Sequence, residues 1–303
     1  MNAPADPIAR VFQLLRAGRP ADAEAAAREA IAASGGRSAP AHAVLGRVLL
    51  LGGRIDAARQ ALRQALQLDP HDRIALLEDS LLARREGRPE RAEANLRLLV
   101  QRHPDQPVFL ATLGQLLVDL GRADEAGALA RRALAIDPRH AEAQMVLAEA
   151  AHAAGDFATA LTRWRALAAA LPGQPRALVG MARALERLGD RGAALDAWQA
   201  ALAIDPRHPD ALRAQIRDRL AAGDRAGVLE LADRLLTAHP RALDAHYSKG
   251  LAHLQARDSV AAGEAFRELA GRDPNHLPAR WAGANLPRHA VFPDQAAIDA
   301  YVA

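Results

Sequence analysis

Apolar residues along this chain do not alternate with polar ones as they would in a half-buried strand. They gather in segments long enough for three or four helical turns. The segments are cut at a fixed interval. Proline returns every 34 residues, at Pro70, Pro104, Pro138, Pro172, Pro206, Pro240 and Pro274. Proline offers no backbone N–H and clashes with the preceding turn, so each marks the end of a helix. Seventeen residues after a proline comes a second breaker: Gly87, Gly121, Gly155, Gly189 and Gly223, with Gly53 one period earlier. Only Arg257 interrupts that glycine series. The octapeptide ALAIDPRH occurs at 133–140 and again at 201–208, two periods on. Two breakers per period separate two helical segments, so the unit is a helix–turn–helix and the array a solenoid.

Side-chain size is periodic as well. Counting each unit from three residues after its proline, position 20 is Ala58, Ala92, Ala126, Ala160, Ala194 and Ala262, with Val228 the exception. Trp164, Trp198 and Phe266 stand four residues further on, and Leu110, Leu113, Gly114 and Leu117 fill the early positions of one unit. This pattern resembles the tetratricopeptide repeat (TPR), whose 34-residue consensus runs W-x2-L-G-x2-Y, A-x3-F, P. The resemblance covers roughly residues 5–276. It implies an all-α TPR α-solenoid, a right-handed superhelix of antiparallel helix pairs. Eight units advancing about 10 Å each would give an axis on the order of 80 Å.

The expected organisation is an irregular capping pair over 1–38, seven regular units over 39–276, and capping or junction helices over 277–303. The loop SGGRSAP (34–40) stretches the first glycine spacing, Gly18 to Gly53, to 35 residues, as suits a terminal unit.

Composition narrows the function. Half the residues are apolar and 3% aromatic, so the core is expected to be built from Ala and Leu, good helix formers that allow close approach. Basic and acidic residues nearly balance, 39 against 36, and alternate along the chain. No basic face is evident, and nucleic acid is not an expected partner. There is no cysteine, hence no disulfide, thiolate metal site or cysteine nucleophile. The first residues carry Asp6 and no apolar run of signal-peptide length, and no segment approaches the roughly 20 apolar residues of a membrane span. The reading is a soluble, cytoplasmic protein.

Capping residues also keep the period. Asp156, Asp190, Asp224 and Asp258 each open a second helix, where a carboxylate can accept from free first-turn N–H groups. Earlier units place Arg there, as at Arg54, with an acid two residues on; this is expected to answer the same capping problem. Two units depart from the pattern. In 73–106, position 7 is Asp79 and position 8 is Ser80; in 209–242, the normally small position 8 is Ile216, flanked by Gln215 and Arg219. A degenerate repeat can absorb such changes; otherwise a bulky residue at a close helix crossing pushes the helices apart and bends the array locally.

Catalytic patterns are absent: no G-x-S-x-G, no G-x4-G-K and no G-x-G-x-x-G after a strand. Eleven histidines invite a metal site, and His140, His208 and His276 share one loop position. Two units, or roughly 20 Å, separate neighbours in that series, too far for one ion. No enzyme activity, metal or cofactor is expected.

A groove remains. In TPR proteins, positions 2, 5, 9, 12 and 13 of each first helix line the concave surface. By that resemblance the candidate binding residues are Glu142, Met145, Glu149, His152, Arg176, Arg183, Arg187, Arg213, Arg217 and Tyr247, with Val179, Glu186, Asp244 and Leu251 alongside. Arg183 and Arg217 hold the same position in adjacent units, next to Arg187 and Arg213, and guanidinium forks suit carboxylates. The expected partner is therefore an acidic protein or peptide. Position 6 reads Val44, Glu78, Thr112, Val146, Gly180, Ala214 and Ser248, so the asparagine ladder of O-GlcNAc transferase grooves is missing.

The C-terminal segment W-x5-P-x4-F-x-D-x2-A-I, from Trp281 to Ile298, resembles the junction between repeats and catalytic region in bacterial O-GlcNAc transferase/SPINDLY-like glycosyltransferases. That implies an alternative role, as the substrate-recognition arm of a larger enzyme. Trp281, Leu286, Val291, Phe292, Ile298, Tyr301 and Val302 crowd apolar surface after the last repeat. They are expected to be covered by fold-back, by a second copy or by a further domain.

Overall fold

The glycine of each period stands in left-handed backbone: φ is 72° at Gly53, 69° at Gly87, 75° at Gly121, 82° at Gly155, 84° at Gly189 and 70° at Gly223. These turns join helices in the computed structural model, which describes residues 6–285. Among them are seventeen α-helices and no strand. The chain divides into two compact units, 1–155 and 156–303.

The first unit holds α1 (Pro7–Arg16), α2 (Pro20–Ala33), α3 (Ala39–Leu51), α4 (Ile55–Leu68), α5 (Arg73–Arg85), α6 (Pro89–Arg102), α7 (Pro107–Asp119), α8 (Ala123–Ile136) and α9 (Ala141–Ala153). The second holds α10 (Phe157–Ala170), α11 (Pro175–Leu188), α12 (Arg191–Ile204), α13 (Pro209–Ala221), α14 (Arg225–Ala238), α15 (Leu243–Gln255), α16 (Ser259–Arg272) and α17 (Leu277–Asn285). The tail expectation concerns the Trp281 side chain and residues 286–303, which lie outside the described residues.

Pairs close where position 8 is small. A methyl group on Gly46 would stand 2.6 Å from Leu62 Cδ2, and one on Gly250 would stand 2.5 Å from Phe266 Cε1. In these two pairs the first helix thus lies against the large position-24 residue of its partner. Successive units then join through their apolar stripes: Leu96 and Leu99 of α6, Leu110, Leu113 and Leu117 of α7, and Ala126 and Ala130 of α8 share one core. Ile216, the bulky exception at position 8, is buried nonetheless.

The four aspartates do cap their helices. Asp156 accepts from Thr159 N at 3.1 Å, Asp190 from Ala193 N at 3.1 Å, Asp224 from Gly227 N at 2.9 Å and Asp258 from Ala261 N at 3.1 Å. The arginines at the same point do not. Arg54, Arg88 and Arg122 precede α4, α6 and α8 without a side-chain cap bond, since a guanidinium has donors only. They turn outward to carboxylates instead, Arg54 to Glu24 and Arg122 to Glu93 at 2.7 Å. Only the acid in the following turn serves the helix end there, through the dipole.

Arg257 is the one non-glycine residue with positive φ among those described, at 58°. A Cβ in that region costs about 1–2 kcal/mol, and glycine gives back about 0.5–1 kcal/mol through its looser unfolded state. Arg257→Gly is expected to stabilise the α15–α16 pair by about 0.5–1 kcal/mol on those figures. Amide hydrogen exchange in α15 and α16 reads this directly; protection that stays level or falls would contradict it.

Candidate partner-binding face

The first helices carry the candidate residues, and each of the two units is best taken separately. In the first, Met145 on α9 is only 4% exposed and belongs to the core. Glu149 accepts from Gln115 Nε2 of α7 at 2.7 Å, joining position 9 of one repeat to position 9 of the next. Glu142 and His152 are partly exposed on the same helix.

In the second unit the arginines come with carboxylates that the sequence did not pair with them. Arg183 Nη2 on α11 donates to Asp210 Oδ2 on α13 at 2.5 Å. Arg213 on α13 donates through Nε to Asp244 Oδ2 on α15 at 2.6 Å and through Nη1 to Asp210 Oδ1 at 3.3 Å. Arg217 Nη2 reaches back to Glu186 Oε1 on α11 at 3.0 Å. Arg187 has its guanidinium 4.7 Å from the centre of the Phe157 ring, a cation–π contact. Arg176 is partly exposed at the start of α11. Each of the first three arginines therefore bridges two repeats.

The pairs are open to solvent: the side chains of Arg183, Arg213 and Arg217 are 53%, 37% and 64% exposed. Such pairs add little stability, about 0–1 kcal/mol each. They do fix where the guanidinium points. A guanidinium has five N–H donors; Arg183 and Arg217 each commit one nitrogen to these pairs, whereas Arg213 engages all three. The bond to Asp244 pushes the Arg213 pKa up from its ordinary value, so the charge is permanent.

Tyr247 is less available. It packs on Phe266 and His276, ring centres 5.7 and 5.4 Å away, and is partly buried in the cluster of the last repeat. Val179 is buried too.

Sequence reasoning left the histidines without a role, and several have one. His140 Nδ1 accepts from Ala143 N at 3.2 Å and His276 Nδ1 from Ala279 N at 3.1 Å, so the loop imidazole caps the following first helix. The signal lay in the sequence, two residues past the proline. His246 and His253 on α15 are enclosed by protein, and burial lowers the pKa of both, keeping the rings neutral. Among the described residues no cluster of three or more His, Asp or Glu is placed to hold a metal ion. No helix among them is long and apolar enough to cross a membrane.

Sequence profiles described as tetratricopeptide repeat match residues 13–73, 44–107, 146–209 and 213–276, and a second profile of the same description matches 83–150. No curated protein sequence matches the chain. Among solved structures, a tetratricopeptide repeat protein from Parabacteroides merdae is 14% identical, covers 91% of this chain and 95% of its own, and has a TM-score of 0.54. PilF of Pseudomonas aeruginosa is 20% identical over 68% of this chain and 94% of its own, TM-score 0.54. Yeast Tom70 is 16% identical over 89% of this chain and 58% of its own, TM-score 0.63. At these identities the likeness is one of fold.

Proposed function

The chain belongs to the tetratricopeptide repeat family, and on that premise we propose that it is a protein–protein interaction scaffold whose first-helix face holds an acidic peptide or protein segment. One observation carries the reading. Arg183, Arg213 and Arg217 sit on adjacent first helices, exposed, each braced by a carboxylate from a neighbouring repeat. Bracing lowers the cost of ordering a long side chain when a partner binds, because its direction is already set. The unspent N–H edges of Arg183 and Arg217 then suit a partner carboxylate, in the bidentate geometry that guanidinium favours. The packed helices α11 and α13 supply the frame, and no catalytic constellation is needed for this role.

The test is an affinity measurement. A partner recovered with the intact chain as bait, once purified, would be titrated into wild type and the Arg183→Glu/Arg217→Glu variant. Bidentate contacts predict a loss of at least about 1–2 kcal/mol, or roughly 5–30-fold in Kd. The broken internal pairs are solvent-exposed and their loss should leave the helical signal intact. Equal affinity for the two proteins would end the proposal.

A further inference from the structure

A cleft of about 360 Å3 opens in the second unit between α11, α12 and α13. Glu186, Arg191, Leu195, Trp198, Arg217 and Asp218 line it. Its volume is at the lower end of the range for small-ligand sites. Two ion pairs cross between helices at its wall. Arg217 Nη2 of α13 donates to Glu186 Oε1 of α11 at 3.0 Å, and Arg191 Nη2 of α12 donates to Asp218 Oδ1 of α13 at 2.6 Å. The Trp198 indole N–H donates to the same Glu186 oxygen at 2.9 Å. Gly189 and the buried Ala194 and Ala214 complete the lining.

The charges cancel in number but not in reach. The Arg191 and Arg217 side chains are 68% and 64% exposed, their carboxylate partners 32% and 37%. The acids are the inner anchors and the guanidiniums the outer groups. Glu186 Oε1 already accepts two hydrogen bonds, while each guanidinium commits one nitrogen of its fork. What the cleft offers a newcomer is donors beside the partly exposed Leu195, with the Trp198 ring, 2% exposed, beneath them.

We propose that this cleft is a specificity site for a glutamate side chain of the bound segment, its carboxylate taken by Arg191 and Arg217 and its methylene stem laid against Leu195. This rests on the reading that the first-helix face takes an acidic partner, and adds Arg191, a second-helix residue outside that face. The same two arginines are already aimed by Glu186 and Asp218, so a glutamate completes the fork without displacing its braces.

The experiment uses the full chain, 15N-labelled, titrated with N-acetylglutamate α-amide and with the isosteric N-acetylglutamine amide. The Trp198 indole N–H resonance, assigned from a Trp198→Phe sample, is the reporter. The expected result is a saturable shift with the glutamate compound, at least fivefold weaker with the glutamine compound, and at least fivefold weaker again in Arg191→Gln. Arg63→Gln, on α4 of the first unit, should leave it unchanged. A stationary indole resonance, or equal shifts from the two compounds, overturns the site. The two proposals fail differently. If Arg183→Glu/Arg217→Glu loses the partner but Arg191→Gln binds it and the glutamate compound as wild type does, the face stands and the cleft falls. If Arg191→Gln loses the glutamate compound while Arg183→Glu/Arg213→Glu keeps full partner affinity, the cleft binds carboxylates and the face reading falls; full partner affinity in Arg183→Glu/Arg217→Glu overturns both, since Arg217 serves both.

Discussion

Replacing Arg91 with alanine should destabilise the α5–α6 pair by about 3 kcal/mol, the lower end of the cost of breaking a buried ion pair. The reason is Asp79, whose side chain is 2% exposed where repeats ordinarily place an apolar residue. Its Oδ2 accepts from Arg91 Nε at 2.9 Å and from Asn95 Nδ2 at 2.7 Å, and Arg91 Nη2 closes on Oδ1. Both partners lie on α6, so one carboxylate ties the two helices of its repeat together. Without Arg91 the anion stays buried with only the Asn95 amide, and desolvation is no longer offset. Asp79→Leu combined with Arg91→Met should recover most of the loss, because a packed apolar pair avoids that cost. Hydrogen exchange in α5 and α6 is the measurement, since repeat arrays need not unfold as one unit. A double variant as unstable as Arg91→Ala alone would rule the account out.

The second large effect centres on Trp164. The ring is 2% exposed, and truncation to alanine is expected to cost about 3–5 kcal/mol through lost burial and the cavity left behind. Its neighbour across the repeat boundary is Gly180 on α11, where a methyl group would stand 2.8 Å from Cζ2 and closer still to Cδ2 and Cε2. Fused ring atoms cannot rotate away as a leucine tip can. Gly180→Ala should therefore cost about 1–3 kcal/mol by overpacking, although alanine is the better helix former. The two substitutions are coupled. With Trp164 reduced to alanine, the added methyl meets empty space, and the second loss should shrink to near zero or change sign. Additive losses in thermal unfolding of the three variants would refute the contact.

Much of the architecture was legible because it rests on local rules that repeat. Proline and glycine mark the ends of helices whatever lies beside them, and an aspartate before a helix finds its acceptor geometry within three residues. What was hidden depends on neighbours across a repeat. Arg183 and Asp210 are 27 residues apart, Arg213 and Asp244 are 31 apart. Nothing in either side chain alone selects the other from an arginine-rich surface. The position-6 glycine was legible as a missing asparagine, but its use, to admit a tryptophan from the preceding repeat, needed the packed helices. Arg54 and its equivalents misled because the position was right and the chemistry was not: a cap needs an acceptor. Asp79 had a compensating signal in Arg91 and Asn95 on the paired helix, visible once the two helices are laid side by side.

The outward pairs of the first unit also work as an address. Nearly interchangeable repeats, with an identical octapeptide in two of them, invite a helix to dock one station too early during folding. In its native place Arg122, preceding α8, meets Glu93 on α6. Skipped back by one repeat, it would face position 21 of α4, which is Arg59. Two guanidiniums would then oppose each other where a pair belongs. Weak as the Arg122–Glu93 contact is in the finished fold, at this station the sign penalises the wrong neighbour more than it rewards the right one. Apolar stripes that differ little from repeat to repeat could not make that distinction by themselves.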